Sequence, residues 1–207
     1  MKKLVALTTL ASVLTAAGAS AYQNGFHAGA NLAYVNTTSR QQVTGTRSAG
    51  YTFSDQSPAL LLEGNYGVLE CNLYKAVDLR VGYIFSKKKR AGAQLNQGFS
   101  SGVGFRLGTP VSEKTILFGR LALDANQQKF SYNFTDANGT SRHSDTFFDY
   151  ALAPGVGVMW ELSDKTSFNV LYQYTMSFAT RGYNGNEHKF SDTPSAHHLG
   201  IGFSYAI

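Results

Sequence analysis

The chain has 207 residues, with 18 Lys and Arg against 13 Asp and Glu, a formal charge of +5. That basic excess is too mild to argue for a nucleic-acid partner. Its 21 Gly, 12 Tyr and 14 Phe, beside 1 Trp, 4 Pro and 1 Cys, suit many short strands better than a helical enzyme, and the lone Cys71 excludes an intramolecular disulfide.

In chain order, the first element is an export label. Lys2 and Lys3 precede an apolar run from Leu4 to Ala17, and Ala19-Ser20-Ala21 supplies a small-x-small cleavage site. A secretory signal over residues 1–21 is expected, with a mature domain over 22–207. Losing Lys2 and Lys3 leaves sixteen basic against thirteen acidic residues, about +3. After Tyr22 nothing approaches the roughly twenty apolar residues that a spanning helix needs. A soluble periplasmic protein and a membrane β-barrel remain.

Side chains alternate across a strand, so a membrane barrel should be apolar at every second position. The first candidate strand carries Phe26, Ala28, Ala30, Leu32 and Tyr34, and the second Leu60, Leu62, Tyr66 and Val68. The third has Val77, Leu79, Val81, Tyr83 and Phe85, the fourth Leu95, Phe99, Val103, Phe105 and Leu107, and the fifth Leu117, Leu121 and Leu123. The sixth runs from Phe148 through Tyr150, Leu152, Val156 and Trp160 to Leu162, and the seventh from Phe168 to Phe178 with Leu171 out of phase. The eighth is the cleanest, with Leu199, Ile201, Phe203, Tyr205 and Ile207 on one face.

A soluble sandwich also alternates, but it turns a charge-rich face to water. Here the alternate face is mostly Gly, Ala, Ser, Asn and Gln, which suits a narrow lumen, and aromatics gather near strand ends as interfacial girdles do. The reading is an all-β, eight-stranded antiparallel up-and-down transmembrane β-barrel.

Connections alternate in length. Leu69–Ala76, Thr109–Lys114 and Ser163–Lys165 are short, whereas Asn36–Ser57, Ser86–Gln94, Gln127–Thr146 and Ala179–Ala196 are long. Short turns are periplasmic and long loops extracellular in such barrels, so both termini are expected in the periplasm. The first long loop has the composition of a flexible, solvated segment. In the third, Phe130, Tyr132 and Phe134 keep a two-residue alternation and Asn138-Gly139 is a strong hairpin turn. The change from odd apolar positions (Leu121, Leu123) to even ones predicts a bulge or register break between Asp124 and Phe130.

The run His198-Leu199-Gly200-Ile201-Gly202-Phe203-Ser204-Tyr205 is similar to the C-terminal signal read by the barrel assembly machinery. His198 would be its polar residue, Gly200 its glycine, and Phe203 and Tyr205 its spaced hydrophobics. Family members usually end on the aromatic, whereas Ala206 and Ile207 follow here. The mature chain as a whole resembles the small outer-membrane β-barrel family of the OmpA transmembrane domain, OmpX and opacity proteins. The resemblance implies a monomer in the bacterial outer membrane, in contact with lipid and lipopolysaccharide, with loops that meet host surfaces.

Alternation puts Glu63, Arg80, Arg106, Arg120, Asp124, Asp149 and Glu161 inside. An eight-stranded barrel is just wide enough to be filled by side chains, and a lone buried charge is costly. A paired network is therefore expected, serving either as core packing or as an ion gate, the second with low conductance. Lys87-Lys88-Lys89-Arg90, above Tyr83 and Phe85, forms a basic patch for lipopolysaccharide phosphates, an anionic host polysaccharide, or simply the protein's own leaflet.

A lipid-A-modifying enzyme would need a nucleophile and base in reach of each other. Ser195, His197 and Asp192, or His143, Ser144 and Asp145, offer only ordinary loop residues, and Ser195-x-His197 reverses the His-x-Ser order of the lipid A deacylase family. No catalytic residue is assigned. Neither a metal nor a cofactor is implied, because no zinc spacing or phosphate loop appears. The expected function is a surface protein with a filled barrel and a structural, adhesive or host-interaction role.

Overall fold

The computed structural model describes residues 24–44, 49–90, 93–136, 139–178, 184–185, 188–192 and 194–207. The expected signal over 1–21, and Arg47 and Asn138, lie outside these. The strands are β1 (Gly25–Thr44), β2 (Ala49–Glu70), β3 (Leu73–Arg90), β4 (Ala93–Ser112), β5 (Thr115–Asp136), β6 (Gly139–Ser163) and β7 (Thr166–Ser177). Two short strands follow, β8 (Asn184–Gly185) and β9 (His188–Asp192), and β10 (Ser195–Ala206) ends the fold.

Each of β1 to β7 pairs antiparallel with its neighbour in sequence, and β7 pairs with β10. Twelve β1–β10 pairs, from His27 opposite Ala206 to Thr38 opposite Ser195, close the cylinder. The wall is the predicted eight-stranded up-and-down barrel, and closure leaves no sheet edge along the spanning region. β9 folds back on the extension of β1, with Val43 opposite Phe190.

The cylinder is apolar on its outside. Phe26, Leu32, Leu62, Leu79, Leu121 and Phe203 are each more than half exposed, while Glu63, Asp78, Arg106 and Arg120 are buried inside. Only hydrocarbon makes such an exterior favourable. A spanning strand needs about 9–11 residues, so β7 and β10, at 12 each, are the length of a crossing. β1 to β6 continue well past it, and three hairpins rise at one end.

The short-turn end is tight. Cys71 and Asn72 alone join β2 to β3, with φ of 50° and 62°. Two positive φ values mark the primed turn whose twist matches the strands it joins. Cys71 is exposed there.

The long hairpins correct three sequence expectations. Within Asn36–Ser57, residues 36–44 and 49–57 are strand where a loop was expected, because β1 and β2 stay in register up to Val43 opposite Ala49. The expected register break does occur opposite Asn126–Gln128 in the β4–β5 pairing, but β5 itself carries no bulge, since β5 and β6 pair without a shift from Thr115/Trp160 to Asp136/Gly139. Phe130 is even-numbered like Phe118 and simply faces inward, as that register requires. The irregularity lies one strand away, between Gln97 and Ser100 of β4. One extra residue there turns Leu95 inward (2% exposed) although Phe99, of the same parity, faces out (42%).

The inward residues of the three hairpins meet. Phe53, Ala93, Leu95 and Phe130 form a cluster with Tyr132 and Phe147 against it, and the Phe53 and Phe130 rings lie edge to face at 6.1 Å. This roof holds the hairpins upright. Phe130→Ala should cost about 3–5 kcal/mol of local stability, read as faster tryptic cleavage after Lys129 with the spanning core still protected.

Candidate functional site

The lumen is filled in layers, an outcome of which inward residue each strand supplies at each height. Nearest the short turns, Tyr74, Ala76, Ile116, Phe118, Met159 and Leu171 form an apolar plug. Leu171, out of phase in the sequence, is one of its side chains. A charged layer follows, then a second apolar ring of Ala33, Val35, Ala59, Leu61, Ile84 and Ala196.

In the charged layer β4 and β5 set Arg106 directly opposite Arg120, a repulsive pair taken alone. Asp78 of β3, 1% exposed, resolves it. Its carboxylate accepts Arg106 Nε at 2.9 Å and Arg120 Nη2 at 2.5 Å. Arg106 Nη2 also reaches Glu63 Oε1 at 2.6 Å, and Asn31 and Asn65 donate to the same carboxylate at 3.4 and 3.3 Å.

The third arginine is tied in through β7. Gln173 Oε1 accepts Arg80 Nη2 at 2.6 Å and Arg120 Nη1 at 2.8 Å. Gln173 Nε2 donates to Asp124 Oδ2 at 2.6 Å, which lies 3.6 Å from Arg80 Nη2. Three carboxylates thus face three guanidiniums, and the layer is formally neutral. Arg106 also sits over the Phe118 ring at 5.1 Å, joining this layer to the plug.

Space for these long side chains comes from glycine on the facing strands. A Cβ on Gly104 would sit 2.6 Å from Arg120 Nη2, and one on Gly202 would sit 1.8 Å from Asn31 Oδ1. The small residues that suggested a narrow lumen make room for charge.

The structure therefore brings together Glu63, Arg80, Arg106, Arg120 and Asp124 and leaves two expected residues apart. Asp149 lies higher, accepting a short hydrogen bond from Ser177. Glu161 is only half-buried and lines a recess near the short turns with His27, Ser163 and Lys165. It cannot join the network because it sits opposite Ser167, six residues along β6 from Gly155, the partner of Gln173. Asp78 and Gln173, both central, were missed. Asp78 alternates with the outward pair Val77 and Leu79, so the same parity rule would have found it. Gln173 carried no signal beyond being polar.

Above the second ring, Thr37, Gln97, Asn126, Gln128, Asp149 and Thr175 line a cavity of about 20 Å³, the size of a water molecule or two. Gln128 Oε1 and Thr175 Oγ1, both buried there, lack a protein hydrogen-bond partner. Higher still, Asp55 accepts from Ser57 at 2.6 Å and from Ser86 in a shorter bond.

The basic run divides by strand parity. Lys88 points into the cylinder, 3.9 Å from Asp55, while Lys87 and Lys89 are exposed on the outer side with Phe85. The side chain of Arg90 lies outside the described residues. In β10, Phe203 and Tyr205 are exposed to the exterior at 56% and 52%, and Gly200 and His198 face inward.

Of the weighed catalytic candidates, the side chains of His143 and Asp192 lie outside the described residues. His197 Nδ1 is 2.7 Å from the Tyr172 hydroxyl, an outer-face contact between neighbouring strands. Among the described residues no group of three His, Cys, Asp or Glu could hold a metal ion.

Among solved structures, the fold is similar to OprG from Pseudomonas aeruginosa at 13% identity, covering 92% of this chain and 100% of that one, with a TM-score of 0.60. It is also similar to neisserial surface protein A at 15% identity, with 92% and 100% covered and a TM-score of 0.49. A third likeness is to Ail of Yersinia pestis at 13% identity, with 85% and 98% covered and a TM-score of 0.44. No curated protein matches the sequence. The outer membrane protein beta-barrel domain family matches residues 4–206. An apolar-walled cylinder, closed on itself and carrying its charges inside, is what that family builds, and this chain belongs to it and so to the bacterial outer membrane.

Proposed function

We propose that this protein is a surface scaffold of the outer membrane, with a closed lumen and with its structural, adhesive or host-interaction role carried by the long hairpins. The observation that carries the reading is the lumen: two apolar layers and a neutral, ion-paired charge layer lie in series across it. A cavity of about 20 Å³ leaves room for water, not for a solute stream. The charged residues Glu63, Arg80, Arg106, Arg120 and Asp124 then act as core, with Asp78 and Gln173 as their junctions. Asp149 and Glu161 stand apart from them, at the levels above and below.

On this reading residues 1–21 are removed on export, both termini are periplasmic, and the hairpins of β1 to β6 stand outside the cell. The unequal lengths of the connections at the two ends support that orientation. The outward Phe203 and Tyr205 of β10, with His198 and Gly200, serve as the strand read by the assembly machinery. A closed wall with no free edge along the membrane favours a monomer. No chemistry is assigned.

The lumen is tested in planar bilayers. The purified barrel should give no large, steady single-channel current; such a current would end the filled-lumen reading. The surface role is tested by binding of labelled cells to host matrix. Shortening the β5–β6 hairpin should reduce binding, and unchanged binding would argue for a purely structural role.

A further inference from the structure

The cross-strand register brings together, on one outer face, cations that are far apart in sequence. Lys87 stands opposite Asn96, Asn96 opposite Lys129, and Lys129 opposite Thr146. One level higher Lys89 stands opposite Gln94, and Arg142 Nη2 of β6 reaches Gln94 Oε1 at 3.4 Å. Lys87, Lys89, Lys129 and Arg142 are all exposed. Among the described residues none of them has a carboxylate partner, unlike Lys88, which points inward to Asp55.

Directly below lies the lipid-facing aromatic level of the same strands: Tyr83 and Phe85, with rings 5.1 Å apart, then Phe99, Phe148 and Tyr150. Lys87 follows Phe85 by two residues, about 7 Å along the strand. These cations project from the side of the cylinder just beyond its apolar belt, at the height of lipid headgroups. Beyond Lys129 and Arg142 the β5–β6 hairpin continues to Asp136 opposite Gly139, so these two lie on its flank, while Lys89 stands near the end of the shorter β3–β4 hairpin.

We infer that Lys87, Lys89, Lys129 and Arg142 form a binding site for the phosphate groups of the lipid in the adjoining leaflet. With the long hairpins outward, that lipid is the phosphorylated glycolipid of the cell surface. The site rests on the orientation proposed above. Adjacent strands lie about 4.8 Å apart, so cations on β3, β5 and β6 can engage two phosphates of one headgroup. The polar Gln94 and Asn96 between them, joined at 2.8 Å, supply neutral donors with no opposing charge.

The test uses the folded protein in dodecylphosphocholine micelles with bis-phosphorylated lipid A, the bound lipid being counted by native mass spectrometry. Each cation removed should weaken binding by about fivefold at low salt. The quadruple variant K87Q/K89Q/K129Q/R142Q should lose at least about tenfold even under screening, and lipid A stripped of its phosphates should lose as much. K75Q/K165Q, at the other end of the barrel, should bind as wild type does. Lys129→Gln alone gives the same sign of change if the quadruple variant folds poorly.

Equal binding by the quadruple variant or by phosphate-free lipid A would overturn the site. So would retention of a heparin hexasaccharide in place of lipid A. Biotinylation of lysines on intact cells reads the orientation separately. Its failure would remove the surface reading while leaving binding in micelles as measured.

Discussion

Asp78→Asn should be among the most damaging single substitutions in the barrel, costing about 3–5 kcal/mol. Asp78 is the only carboxylate described between Arg106 and Arg120, accepting both guanidiniums at 2.5 to 3.1 Å. Removing its charge while keeping its shape leaves two buried cations opposite each other across β4 and β5. Glu63→Gln is the informative comparison. Glu63 has one arginine and two amide donors, so its loss leaves Arg106 still held by Asp78 and should cost less. Urea unfolding in lipid vesicles, followed by Trp160 fluorescence and by the mobility shift of folded barrels on gels, checks both. Equal stability of wild type and Asp78→Asn would mean that the two arginines are not held as described.

Leu121→Arg addresses the other side of the wall. Leu121 is 53% exposed on the exterior and stands beside Arg120, which is buried at the same height. If this face meets hydrocarbon, a guanidinium here should cost about 2–4 kcal/mol near the bilayer midplane. The same substitution at Val111, near the short turns and 55% exposed, should cost about 0–1 kcal/mol. A soluble protein would reverse the expectation, because an arginine on a wetted surface is nearly neutral. The contrast between two equally exposed positions, read by vesicle unfolding, separates depth in lipid from simple exposure.

Much of this was legible in the chain because the strand period is two and a barrel wall applies it along most of every strand. The outward faces of β3, β6, β7 and β10 were read correctly from alternating Phe, Tyr, Leu and Val. The same rule placed Glu63, Arg80, Arg106, Arg120 and Asp124 inside before any contact was known. It failed where parity itself changed. The extra residue of β4 between Gln97 and Ser100 has no marker in the sequence beyond Gly98, so Leu95 was put on the wrong face.

Partner choice was also out of reach. Alternation says that Asp78 points inward, not that it lies between two arginines on different strands. That depends on the stagger between neighbours, which local sequence does not encode. The hairpin roof was hidden for a related reason. Ser, Thr and Gln around Arg40 and Arg47 have the composition of a solvated loop, whereas Phe53, packing on Phe130 from a distant strand, ties that segment to the roof. Lys129 and Arg142 joined Lys87 and Lys89 by the same kind of long-range pairing.

The distribution of formal charge around the wall has a consequence for how it is put together. All six ionised groups of the neutral layer come from four consecutive strands, β2 to β5, whereas β1 and β7 contribute only the amides Asn31 and Gln173. That meander can balance its own electrostatics before the ends of the chain meet. A half-finished assembly entering the bilayer with these four staves in place would carry no net charge into it. Seam closure between the first and last staves then brings no further carboxylate or guanidinium to that layer.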